Sequence, residues 1–163
     1  FVILDDLQAI AHQMLQLLDP LDAAARVERA RAAVALHTDS PWARARLAFN
    51  LIGFGELDEA RTELDAVETL DPGRWEVLFG RGMLAALDGD LDRASRLLDE
   101  AAAIRPIEWA VQIGRARVHT LRGESEIALE LYRRALELAE GDEAKTTETR
   151  TELELAQRRM RQR

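Results

Sequence analysis

Three histidines, His12, His37 and His119, are the side chains best suited to proton transfer near neutral pH or to ligating a metal. They stand far apart, at no spacing that would gather a ligand set, so each reads as a surface or groove histidine. Ser40, Ser95 and Ser125 have no nucleophile motif around them. The chain has no cysteine, which removes disulfides, thiolate zinc sites and a thiol nucleophile. Its 30 acidic residues sit in turns of the type "ELDEA" and on charged helix faces, where solvation explains them without a catalytic pair. The nine glycines are single and form no phosphate-cradling loop. These residues point to no enzyme, no cofactor and no metal. The informative side chains are the large apolar ones, and what they do depends on the elements that carry them.

Those elements recur. "GELDEA" (55–60), "GDLDRA" (89–94) and "GESEIA" (123–128) return at a constant period of 34. Ala60, Ala94 and Ala128 keep the same step, as do Leu64, Leu98 and Tyr132, and Leu70, Ile104 and Leu138. Pro72 and Pro106 keep it too, and so do Trp75 and Trp109. On either side of each glycine lies a segment of about 14 residues with helical periodicity. Leu57, Ala60, Leu64 and Val67 form one apolar stripe, and Leu91, Ala94, Leu98 and Ala101 repeat it. The glycine supplies the positive φ that closes a helix, and the proline ends the next one. Each period is therefore a helical hairpin that buries its apolar faces only by stacking on its neighbours.

The period of 34 and the order of large apolar, small, Gly, Ala, large apolar and Pro resemble the tetratricopeptide repeat (TPR) family. "LFGRGMLAALDGDLDRASRLLDEAAAIRP" (78–106) carries the likeness best, and "LAFNLIGFGELDEARTELDAVETLDP" (47–72) nearly as well. "IGRARVHTLRGESEIALELYRRALELAE" (113–140) has Glu140 in place of the proline. The resemblance implies an all-α fold, a right-handed superhelical solenoid of helix–turn–helix repeats. Three units follow from it: 41–74, 75–108 and 109–142. Residues 1–40 read as a degenerate N-terminal hairpin with a turn at "DPLD", and 143–163 as a C-terminal capping helix. Ser40 and Pro41 have the chemistry of an N-cap and a first helical residue. Arg81 and Arg115 depart from the family pattern, which has a large apolar residue there. Their first helices are expected to bury a slightly different face, or their stems to lie along a neighbouring element.

The resemblance also implies where a partner would bind. In this family the first helix of each hairpin lines a concave groove. That places Trp42, Ala45, Phe49 and Ile52 there, then Glu76, Phe79, Met83 and Leu87, then Ile113, Arg117 and Thr120. Such an apolar row either belongs to the core or takes an apolar peptide or an amphipathic helix of a protein partner. Phe79 and Met83 are its expected centre. The carboxylate clamp of co-chaperone members is not expected, since Arg117 alone among the corresponding positions is a plausible cation.

A net charge of −8 opposes general nucleic-acid binding, and acidic rims would favour basic flanks on a ligand. No apolar run approaches the roughly 20 residues of a membrane span. The last 21 residues carry six basic and four acidic side chains, ending in "RRMRQR". Ile3, Leu7, Ile10, Met14 and Leu17 step by four and three, and read either as packing on the next hairpin or as a homo-oligomer seam. Phe1 in place of Met fits a trimmed chain or a piece of a longer one, leaving cytoplasm and periplasm both open and a regulatory or targeting domain of a larger protein as an alternative role. The preference for Arg over Lys suggests a bacterial, GC-rich source.

Overall fold

A computed structural model describes residues 20–162, and every described element is a helix or a turn. Eight helices follow in order: α1 (Pro20–Leu36), α2 (Pro41–Phe54), α3 (Leu57–Leu70), α4 (Trp75–Leu87), α5 (Leu91–Ile104), α6 (Trp109–Leu121), α7 (Ser125–Leu138) and α8 (Glu143–Arg161). The expected stripe at Ile3–Leu17, His12 and the turn beginning at Asp19 lie outside the described residues.

Local chemistry sets the boundaries. The Ser40 side chain accepts a hydrogen bond from the Ala43 amide at 3.2 Å, so α2 begins with its first free donor satisfied and Pro41 already at helical φ. Asp90 and Asp142 cap α5 and α8 in the same way. At the other end of α2, Gly55 adopts φ 96° and its amide returns to the Leu51 and Ile52 carbonyls. Gly89 and Gly123 hold the same left-handed turn one and two periods on. Helices α3 and α5 stop two residues before Pro72 and Pro106. Where Glu140 replaces the proline, α7 still ends at Leu138, and Gly141 has a positive φ just as Gly73 has after Pro72.

Helices α2 and α3, α4 and α5, and α6 and α7 form the three hairpins. Successive first helices touch one another, α2 with α4 and α4 with α6, whereas no comparable contact joins successive second helices. The first helices therefore stand closer together and make the inner face of the curve. Between the layers lie Ala60, Leu64, Val67, Ala94, Leu98 and Ala101, all without solvent exposure. These are six of the eight stripe residues; Leu57 and Leu91, at the helix starts, are half-buried. Small residues permit the close approach: a Cβ on Gly82 of α4 would stand 2.9 Å from the Leu98 side chain of α5.

The period extends past the three hairpins at both ends. Glu143 follows Trp109 at the same step by which Trp109 follows Trp75 and Trp75 follows Pro41. Helix α8 thus takes the register of a fourth first helix, with Ala156 and Leu153 packed beside Ile113 and Tyr132. At the other end α1 finishes at Leu36, one full period before Leu70, in the register of a second helix. Its Val27 and Ala30 pack with Leu47, Leu51 and Ala60.

The head groups of Arg81 and Arg115 reach back to the preceding hairpin. The Arg81 guanidinium donates to Asp65 at 2.9 Å, and Arg115 donates to Asp99 at 2.9 Å. Both pairs join a first helix to the second helix of the preceding hairpin, and they are one period apart.

Candidate functional site

The inner face divides into two halves. In the half made by α2 and α4, aromatic rings meet. Phe49 stands edge-on to Phe79 with centroids 5.2 Å apart, and Trp75 lies 6.5 Å from Phe49 and 6.2 Å from Phe79. Such tilted and edge-to-face pairs are favourable beyond the area they bury. All three rings are half-buried, so each keeps part of its surface in water. Ile52 and Leu87 beside them are also half-buried. Trp42 is 57% exposed, with the Arg46 guanidinium over its ring at 4.7 Å.

In the half made by α6 and α8 the chain supplies its own partners. Arg117 donates to Glu152 at 3.0–3.1 Å and to Glu148 at 2.8 Å. Burial disfavours charge on Arg117, but the field of Glu152, its hydrogen bond and the field of Glu148 outweigh burial and raise the guanidinium above its ordinary pKa. The Trp109 indole donates to the Thr149 hydroxyl at 2.9 Å, and Lys145 stands over the same ring at 5.7 Å. Tyr132 is buried behind this cluster; burial first, then Glu152, push its phenol well above the usual range.

The residues expected in the groove separate accordingly. Trp42, Phe49, Ile52, Phe79 and Leu87 lie in the α2–α4 half with surface to offer. Five of the other expected residues are buried or paired within the chain. Met83 and Ile113, 7% and 1% exposed, belong to the core: Met83 packs with Leu98 and Val118, and Ile113 with Ala116 and Tyr132. The Arg117 guanidinium is held by Glu148 and Glu152 of α8. Ala45 and Glu76 are buried as well, Glu76 against Arg74. Sequence reasoning omitted Trp75, which shares a period with Trp109 and completes the aromatic group, and Arg46, one turn after Trp42.

Among the described residues, His37, His119 and Ser40 stand in separate surroundings. His37 is exposed. His119 Nδ1 hydrogen-bonds the Glu124 carboxylate, and that bond, followed by Arg122, holds Glu124 below the usual carboxylate range. The Ser40 hydroxyl is occupied in capping α2. Among the described residues no three His, Asp or Glu side chains converge as a metal site, and no helix is long and apolar enough to cross a membrane.

Stacked hairpins, closer on the inner face and flanked by α1 and α8, define an α-solenoid. Its repeat length and its Gly, Ala and Pro positions make this the tetratricopeptide repeat fold. The chain resembles TTC0263, a thermophilic TPR protein of Thermus thermophilus, at 23% identity and a TM-score of 0.63, over 92% of this chain and 79% of that one. It resembles yeast Tom70 at 19% identity and a TM-score of 0.61, covering 88% of this chain and only 34% of Tom70. The Pseudomonas aeruginosa pilF protein is similar at 19% identity and a TM-score of 0.54, over 88% of this chain and 69% of that one. No protein-family model matches the chain, and no curated protein matches its sequence.

Proposed function

We propose that this chain is a non-catalytic protein-interaction scaffold that holds an apolar segment of a partner, as a peptide or an amphipathic helix, on the α2–α4 half of its concave face. The observation that carries this reading is the half-buried group of Phe49, Trp75 and Phe79 on that face. An apolar side chain placed against the three rings removes their remaining surface from water at about 25 cal/mol per Å². The helices are fixed by packing before the ligand arrives, so little ordering cost falls on the scaffold. Aromatic anchors of this kind dominate the energetics of most interfaces.

The test is Phe79→Glu. The variant loses partners captured by the wild type from its native proteome, identified by mass, while its helicity and cooperative melting stay near wild type. Undiminished capture by the folded variant sinks the reading. Loss of cooperative melting also counts against it, because Phe79 would then be a core residue.

A further inference from the structure

Resting on that reading, we infer that the α2–α4 half of the face selects a segment in which an aromatic or large aliphatic anchor is followed, about one helical turn away, by a carboxylate, and that Arg46 reads the carboxylate. Three observations support this. First, helices α2, α4 and α6 carry five arginines: Arg44, Arg46, Arg81, Arg115 and Arg117. Four are held by carboxylates: Arg44 by Glu63, Arg81 by Asp65, Arg115 by Asp99, and Arg117 by Glu148 and Glu152. Arg46 alone has no ion-pair partner among the described residues. Its guanidinium lies over the exposed Trp42 ring at 4.7 Å, and Arg46 is itself exposed.

Second, Arg46 adjoins the aromatic group. Trp42, Arg46 and Phe49 follow at steps of four and three, on one side of α2. A segment whose apolar side chain enters against Phe49 and Phe79 brings its next turn, about 5.4 Å along a helix, toward Arg46. A planar guanidinium and a carboxylate there can pair through two N–H donors.

Third, local charge is opposite to that of the whole chain. Helices α2 and α4 hold three arginines and one acidic residue, Glu76, which is buried against Arg74, whereas the whole chain carries −8. The chain's overall charge favours a basic ligand. At this end the complementary ligand is acidic, and a basic segment would meet Arg46 with like charge.

The experiment pans a displayed library of random 12-residue peptides on the intact wild type, Arg46→Gln and Phe79→Glu. Arg46 is exposed, so Arg46→Gln keeps the wild-type helical spectrum and melting. The wild type is expected to enrich sequences pairing an aromatic or large aliphatic residue with Asp or Glu three or four positions away. A synthetic peptide from that pool should bind Arg46→Gln at least tenfold more weakly than wild type, with the gap closing at high salt. Arg46→Gln should still enrich the apolar anchor without the acid. An apolar consensus with no acid, or with Lys or Arg in its place, overturns the role of Arg46 and leaves the apolar site standing. No enrichment on the wild type beyond that on Phe79→Glu overturns both readings. If a second copy fills the surface instead, the library returns nothing and Trp42→Glu changes the sedimentation of the protein, which also overturns the inference.

Discussion

Phe79 and Ile113 occupy the same place in successive repeats, one period apart on the inner row, yet their surroundings differ. Phe79 keeps part of its ring in water among Phe49 and Trp75. Ile113 is 1% exposed beneath α8. The difference comes from the element stacked beside each hairpin. After α6 and α7 the chain continues into a helix that presents Glu148, Glu152 and Thr149 to Arg117 and Trp109. Beside α4 stands α6, which meets Phe79 and Met83 at Gly114, a residue without a side chain, and leaves the Phe79 ring half-buried. Exposure along the inner row is thus set by what the neighbouring described helix places against each position.

Breaking the closed half should have the largest effect. Arg117→Ala leaves two carboxylates facing each other, Glu152 almost fully enclosed, and should cost about 3–5 kcal/mol, with α8 becoming the first site of proteolytic cleavage. A melting curve close to wild type would mean that α8 is held by its apolar contacts alone. Next, Ile113→Ala removes fully buried methylenes and should cost about 2–5 kcal/mol, while Phe79→Ala should cost less because part of the ring is already hydrated. Equal losses in urea denaturation would erase the contrast between the halves. The smallest effect belongs to the outer surface. Arg31 spans from α1 to Glu59 of α3 and its hydrogen bond holds the Glu59 carboxyl below the usual range. A depressed carboxylate stabilises above its unfolded pKa, roughly 4.3, and the benefit is lost as pH falls below that value. Between pH 6 and 3 the wild type should therefore lose slightly more stability than Glu59→Gln, a margin screened by water and read in parallel melts. Identical pH profiles would show that the bridge contributes nothing to holding α1.

Much of the scaffold was legible in the sequence because it is written in residues with few conformational options. Gly55 closes α2 by its φ, Pro72 ends α3 by its missing donor, and Ser40 starts α2 by its hydroxyl. Leu64, Leu98 and Tyr132 recur because each must fill the same space between layers. The site was less legible. Membership in the inner row does not decide exposure: Met83 is covered by the approach of α6 at Gly114, where an added Cβ would stand 3.2 Å from its sulfur. Arg117 looked available because its partners lie 31 and 35 residues on, in a polar helix whose composition hides its register. Adding one more period to Trp109 would have reached Glu143 and exposed that helix as a fourth inner element. The bridges at Arg81 and Arg115 were likewise open to discovery, since Asp65 and Asp99 share their interval.

Those two bridges also bear on how such an array grows. Arg81 with Asp65 and Arg115 with Asp99 tie consecutive hairpins by the same charged stitch at the same offset. A block of one period copied or excised between matching points carries half of a stitch at each border, and the halves rejoin correctly. Gene duplication can lengthen or shorten the array without inventing a new seam.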